Sequence, residues 1–196
     1  GVSIINLEKT KAPLNQAAAY AQDVVGSGGS VLFVATKRQA RDIVQQAAQS
    51  AGMPYVVDRW IGGLFTNFGQ VHSLIANLDT LKTQRAGGEL QKYTKKEQLD
   101  FEEEIQRLEK LVGGLGSMER LPQALFVVDI KSEKTAVHEA NALKIPVIAM
   151  CDTNVNPEKV DYAIPANDDA VNSIKLVTDL IAEAINEGRK EFEKKK

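Results

Sequence analysis

Short apolar runs rich in β-branched residues alternate with longer stretches of helical period along most of the chain. Ser3–Leu7 reads as a strand, followed by a helix over Lys11–Val25 with Pro13 in its first turn and Gly26 ending it. Gly28-Gly29 leads into a wholly apolar strand, Val31–Ala35. Lys37–Ala51 is then helical, with Ala40, Ile43, Val44, Ala47 and Ala48 on one stripe. Pro54–Val57, Ala124–Val128, Val147–Met150 and Tyr162–Ile164 read as further strands, and Lys134–Leu143 and Asp169–Glu187 as helices. Strands that are apolar throughout suit a parallel sheet covered on both faces. The expected fold class is α/β, a doubly wound parallel sheet.

The stretch between the third and fourth of these strands is too long for a simple crossover. Thr66–Leu81 and Thr94–Val112 read as two long helices joined by a polar tip containing Gly87-Gly88. Leu74, Leu78 and Leu81 mark one apolar stripe; Leu99, Ile105, Leu108 and Leu111 mark the other. Thr94 with Glu97 fits a capping box at the start of the second helix. The chain thus divides into an α/β domain (1–65 and 113–188), a long α-helical hairpin insertion (66–112) and a basic C-terminal tail (189–196). Dense mixed charge suits a hairpin that projects into solvent, either as a solvated insert or as an arm touching a large partner.

Composition narrows the class. The 196 residues are 43% hydrophobic and 26% charged, enough apolar material for one sizeable core. No run of about 18 apolar residues occurs, which excludes a membrane-spanning helix. A single cysteine, Cys151, excludes an internal disulfide framework and any multi-cysteine metal site. The chain opens at Gly1 without a secretory signal pattern, so the expected compartment is reduced and cytosol-like. The net charge of −2 speaks against nucleic acid, because neutralising phosphates calls for Lys and Arg. By region the picture changes. Residues 1–78 carry +2, 79–110 carry −1, 119–188 carry −6 and the last eight +3. Local fields therefore differ in sign from the whole.

Enzymatic chemistry finds little support. A dinucleotide fingerprint must leave a strand and open a helix. Gly26–Ser30 and Gly113–Ser117 instead leave helices and enter strands, and no Walker lysine motif is present. Asp129 and Asp152 follow strands, and Asp168 and Asp169 open the last helix, all at the carboxyl edge of the sheet. Such carboxylates hold a divalent cation or, more commonly, make Asx-turns and helix caps. Asp152 and Asp168 are the cation candidates. Asp152-Thr153-Asn154 before Pro157 reads as a turn. His72 and His138 lack catalytic partners at motif spacing, and Cys151 lacks a neighbouring base. No catalytic residue is expected.

Anion binding is better served. Thr36-Lys37-Arg38-Gln39-Ala40-Arg41 lies where a strand gives way to a helix, so free amides and side-chain cations converge. Arg59-Trp60-Ile61-Gly62-Gly63-Leu64-Phe65-Thr66-Asn67 repeats the arrangement. Its glycines permit close backbone approach, Thr66 or Asn67 is placed to cap the next helix, and Trp60 is either a stacking surface or a packing anchor. Both stretches also read as ordinary surface charge near caps.

Phe33–Ala40 and Arg59–Asn67 resemble signature stretches of the S-two family of bacterial small-subunit ribosomal proteins. So do Leu121–Asp129, Glu139-Ala140, Ile145-Pro146, Asp152–Asn154, Val160–Pro165 and Asn167–Ala170, in order over nearly the whole chain. The resemblance implies a Rossmann- or flavodoxin-like domain with an α-hairpin and no catalysis. It implies small-subunit rRNA, other small-subunit proteins and the mRNA-capturing ribosomal protein one as partners, in the cytoplasm, with no membrane, cofactor or small-molecule substrate. Members begin with a histidine-containing stretch before the position equivalent to Gly1. Lys37, Arg38, Arg41, Arg59, Gly62 and Gly63 then become expected rRNA contacts, and Lys92, Lys95 and Lys96 near the hairpin tip a second group. Asp129, Asp161 and Asp169 become protein-facing, and any cation at Asp152 and Asp168 would organise a protein contact. A stand-alone nucleotide-binding or phosphohydrolase enzyme, and a non-ribosomal scaffold docking through its hairpin, are the alternatives. So few basic groups would give modest RNA affinity alone, leaving the protein dependent on neighbours.

Overall fold

Strands that are apolar on both faces must be covered on both. In the computed structural model, which describes residues 7–152 and 160–195, they are. β1 (Val31–Val34), β2 (Tyr55–Val56), β3 (Ala124–Val128), β4 (Val147–Cys151) and β5 (Tyr162–Pro165) form one parallel sheet in the order β2-β1-β3-β4-β5. This is the doubly wound order of flavodoxin-like folds, whose direction of winding reverses between β1 and β3. Side chains alternate between two cores. Val31 and Phe33 pack with α1 (Leu7–Gly26), α2 (Arg41–Ala51) and α6 (Val171–Lys194). Leu32 and Val34 pack with α5 (Lys134–Ala142) and with the bases of α3 (Phe68–Ala86) and α4 (Lys95–Val112).

Several boundaries differ from the sequence reading. Leu7, expected at the end of a strand, opens α1, so Pro13 lies in the second turn rather than the first. The rest of that expected strand, residues 3–6, lies outside the described residues. α2 begins at Arg41 rather than Lys37, because Lys37–Ala40 form a turn in which the amides of Ala40 and Arg41 both reach the Lys37 carbonyl. The basic tail is no tail. α6 continues to Lys194, with Gln22 donating to Glu191 at 2.8 Å, Arg189 paired to Glu193 at 3.3 Å and the Phe192 ring lying over Gly28.

The hairpin consists of two long helices as expected, with the reciprocal capping box between Thr94 and Glu97, but α3 starts at Phe68 rather than Thr66 and runs on to Ala86 rather than ending at Leu81. Val71, Ile75, Leu78 and Leu81 of α3 meet Ile105, Leu108 and Val112 of α4. Leu99 fits that seam by its spacing but is 59% exposed, because the tip is closed instead by Leu90 in the Glu89–Lys92 turn. Cross-hairpin pairs Lys82–Glu109 and Arg85–Glu102 (3.1 Å) clasp the two helices.

α1 and α6 approach closely where Gly188 faces the backbone of Gln22. A methyl group at Gly188 would collide with the Gln22 carbonyl, which cannot give way as a flexible side chain would. Gly188→Ala is expected to lower stability by about 1–3 kcal/mol despite alanine's higher helix propensity, as read from the urea unfolding midpoint. A midpoint at or above wild type would show that the crossing is looser than described.

Candidate functional site

At the carboxyl ends of β1, β3 and β5 stands Lys37. Its ammonium lies 3.3 Å from Asp129, 3.2 Å from Asp168 and 2.6 Å from Asp169. Burial alone would favour the neutral amine, but hydrogen bonds to Asp169 and Asp168 outweigh it and raise the lysine pKa. Lys37, an expected phosphate ligand, is instead the internal counter-ion of three aspartates, which leaves it without a free charge for an external anion. The same geometry bears on Asp168, since a lysine ammonium sits where a cation would approach. Among the described residues, no three His, Cys, Asp or Glu side chains converge as metal ligands. Asp152 follows β4 and is half-buried; the expected turn beyond it, residues 153–159, lies outside the described residues.

Asp129 makes the turn its position after a strand suggests. Its carboxylate accepts from the amides of Lys131 (2.9 Å) and Ser132 (3.3 Å) and from the Ser132 hydroxyl (2.9 Å), and its backbone takes a positive φ of 68°. With Lys37 beside it the residue is only 8% exposed, so it presents no docking surface. Asp161 lies at the opposite edge of the sheet, where its carboxylate accepts from the Val147 amide at 2.8 Å. The three residues expected to face protein therefore form no common patch; Asp169 alone among the carboxyl-edge pair is exposed. Neither Asp168 nor Asp169 caps α6. The Asn167 side chain accepts from the Asp169 and Ala170 amides instead.

A second internal carboxylate serves the β1–α2 turn. Glu133 is 2% exposed, and its Oε1 accepts from the Thr36 amide (2.6 Å) and hydroxyl (2.5 Å). Burial raises its pKa, against the pull of the Thr36 bonds. The Thr36 amide expected to bind an anion thus already binds one of the protein's own.

A third, Glu139 of α5, organises the loop after β2. Its Oε1 accepts from the Trp60 indole at 3.1 Å and the Gly63 amide at 2.8 Å; its Oε2 accepts from the amides of Phe65 at 3.0 Å and Thr66 at 3.4 Å. Burial pushes its pKa up, but the bonds from Trp60, Gly63, Phe65 and Thr66 prevail and hold it low. Trp60 is therefore a packing anchor, set edge-on to Phe65 with centroids 5.1 Å apart. Gly63 takes a φ of +86° to make this turn. Neither Thr66 nor Asn67 makes a side-chain cap: Asn67 stands at the cap position without the bond, and the Thr66 amide goes to Glu139. Only a residue far along the chain could supply this acceptor, and Glu139 beside the exposed His138 gives no sign of it in the sequence.

What the loops present outward is cationic. Arg38 and Arg59, at the ends of neighbouring strands, are exposed and have no ion-pair partner among the described residues. Arg41 is half engaged, donating from Nε to the Thr36 carbonyl at 2.8 Å and pairing with Asp58 at 3.4 Å. Gly62 is exposed with open space around it. Lys131, on the exposed turn after β3, and Lys134, opening α5, join this edge; sequence reasoning misses them because they sit in a region of net −6. Lys92, Lys95 and Lys96 are exposed at the hairpin tip, Lys92 lying 5.4 Å over the Tyr93 ring. The Cys151 thiol is pushed up to about 12 by burial, with Asp168 and Asp129 adding to it, which suits a structural thiol rather than a nucleophile.

The family model described as ribosomal protein S2 matches residues 1–188. The Small ribosomal subunit protein uS2 of Bdellovibrio bacteriovorus is 46% identical over 195 residues, covering all of this chain. The chain spans 62% of that relative's length.

The Glu139 anchor gives a pH-dependent expectation. A carboxylate whose folded pKa is depressed contributes stability above its unfolded value and loses it as pH falls through the folded one. Glu139→Gln, which cannot accept four donors, is expected to cost about 2–4 kcal/mol at neutral pH in urea unfolding. The difference from wild type is expected to shrink as pH falls below the ordinary glutamate value of 4.5. A pH-independent difference would contradict the charge's role.

Proposed function

Because the chain belongs to the ribosomal protein S2 family, we propose that it is a structural constituent of the small ribosomal subunit, binding small-subunit rRNA in the service of translation. The observation that carries this reading is the pair of free, exposed arginines, Arg38 and Arg59, on neighbouring loops at the carboxyl edge of the sheet. Internal carboxylates hold the neighbouring backbone, Glu133 at Thr36 and Glu139 at Gly63, Phe65 and Thr66, while the two guanidinium groups extend into solvent. Arg41 adds a partly engaged guanidinium and Gly62 an unobstructed backbone. Lys92, Lys95 and Lys96 offer a second contact at the far end of the hairpin.

The protein works in the bacterial cytoplasm as part of the subunit, without catalysis, membrane or small-molecule substrate. Its remaining partners are neighbouring small-subunit proteins, and it supports recruitment of the mRNA-capturing ribosomal protein one. Exposed Asp169 and Asp161 are the acids available for protein contacts, on opposite sheet edges. Lys37 contributes as the counter-ion that lets the acidic strand ends coexist beside an RNA-facing surface.

Co-sedimentation with small subunits through a salt titration tests the reading. Arg38→Ala with Arg41→Ala, and separately Arg59→Ala, are expected to lower occupancy. Each phosphate contact removed should flatten the slope of log affinity against log salt by about 0.7–0.9. Occupancy unchanged across the titration in all variants would contradict it.

A further inference from the structure

α6 carries more apolar surface than the fold uses. Ile174, Val177, Ile181 and Ile185 are buried and join the core that α6 shares with α1 and α2. One such stripe is what docking a surface helix requires. Leu176 and Leu180 lie outside it, 54% and 36% exposed, one turn apart and so on one outward face. Half-buried Ser173 and Ala184 continue that face at either end. Leu99, Leu143 and Val171 are exposed too, but each lacks an exposed apolar neighbour three or four positions away. Single exposed apolar residues are ordinary on a protein surface. Two leucines side by side on a helix that already has its buried stripe make a contact surface that the fold itself leaves uncovered among the described residues.

The charge around the pair defines what covers it. From Val171 to Glu187 the charged residues are Lys175, Asp179, Glu183 and Glu187, one base against three acids. Lys175 pairs with Asp179 at 2.8 Å and Glu187 with Lys190 at 2.7 Å, both at the surface, while Glu183 has no ion-pair partner among the described residues. Glu183 lies three positions beyond Leu180 and Glu187 four beyond that, so acids extend the leucine face. Elsewhere in this half of the chain carboxylates turn inward: Asp129 and Asp168 to Lys37, Glu133 to Thr36, Glu139 to the Trp60 loop. Those of α6 face solvent. Such a surface repels phosphate and, carrying the same acids, a second copy of itself. It suits a basic amphipathic helix, with apolar side chains three or four apart for the leucines and Lys or Arg for the glutamates. Proteins that neutralise rRNA phosphate are rich in these cations. Resting on the reading above, we propose that the outer face of α6 docks a basic amphipathic helix of a neighbouring small-subunit protein, with Leu176 and Leu180 at the centre of the contact and Glu183 and Glu187 setting its register. The chain then meets RNA at its sheet edge and protein along α6.

The test places a photoreactive benzophenone side chain at position 176, and separately at 183, of the full chain carried by small subunits. After irradiation the cross-linked peptides are sequenced. Both positions are expected to mark one Lys- and Arg-rich peptide of a small-subunit protein, with apolar residues three or four apart. In parallel, Leu176→Gln with Leu180→Gln should leave the urea unfolding midpoint near wild type, because both side chains already meet water, yet weaken retention on subunits about tenfold. Glu183→Lys should lower retention as well, which a purely apolar contact would not show. Adducts to rRNA alone, to a second copy of this chain or to a peptide lacking such cations overturn the assignment. So does the absence of adducts in a subunit-bound chain, or wild-type retention of both variants. Each of these leaves the ribosomal reading standing, since the chain has still joined the subunit. A chain that never joins small subunits overturns that reading and this docking with it.

Discussion

Glu139 reaches from α5 across the sheet's carboxyl edge and accepts hydrogen bonds from Trp60, Gly63, Phe65 and Thr66. A bond to a charged acceptor is worth about 1.5–3 kcal/mol, and a lost partner leaves a buried donor unmet. Without this carboxylate the loop from Arg59 to Asn67 would have four donors to satisfy in some other conformation. The loop carries Arg59 outward and delivers the chain into α3. The position of the hairpin root and that of the cationic edge are thus set by one acceptor.

The same device recurs along this edge. Glu133 takes the Thr36 amide and hydroxyl, and Lys37 takes Asp129, Asp168 and Asp169. In flavodoxin-like folds these strand ends are where ligand anions meet backbone amides. Here internal carboxylates occupy those amides and an internal ammonium occupies the acids. A mostly self-neutralised edge leaves the exposed Arg38 and Arg59 as the charges it presents outward.

The α/β architecture was legible because apolar strand runs and helical stripes are local properties. The hairpin was legible for the same reason, down to the Thr94–Glu97 box. Where the reading failed, the decisive partner was distant in sequence. Lys37 looks like a phosphate ligand beside Arg38 and Arg41 until strands β3 and β5 bring three aspartates to it. Gly63 looks like an open amide until α5 brings Glu139. Leu99 fits the seam by spacing, but the seam ends before it because Leu90 folds over the tip. Asp161 and Asp169 lie eight positions apart and look like neighbours in one acidic region. β5 runs between them and puts them at opposite edges. The net charge misled in a similar way: much of the −6 of residues 119–188 lies in carboxylates bonded to amides, hydroxyls or Lys37, so the surface is less acidic than the count.

The central claim is that RNA is met by the arginine-bearing loops at the sheet edge and by the hairpin tip. Ultraviolet cross-linking of small subunits carrying this chain, followed by mapping of the RNA-modified peptides, tests it most directly. Adducts are expected in peptides holding Arg38, Arg59 and Lys92–Lys96, and none in the outer face of α6. Adducts confined to α6, or to the amino edge of the sheet around Asp161, would contradict the account.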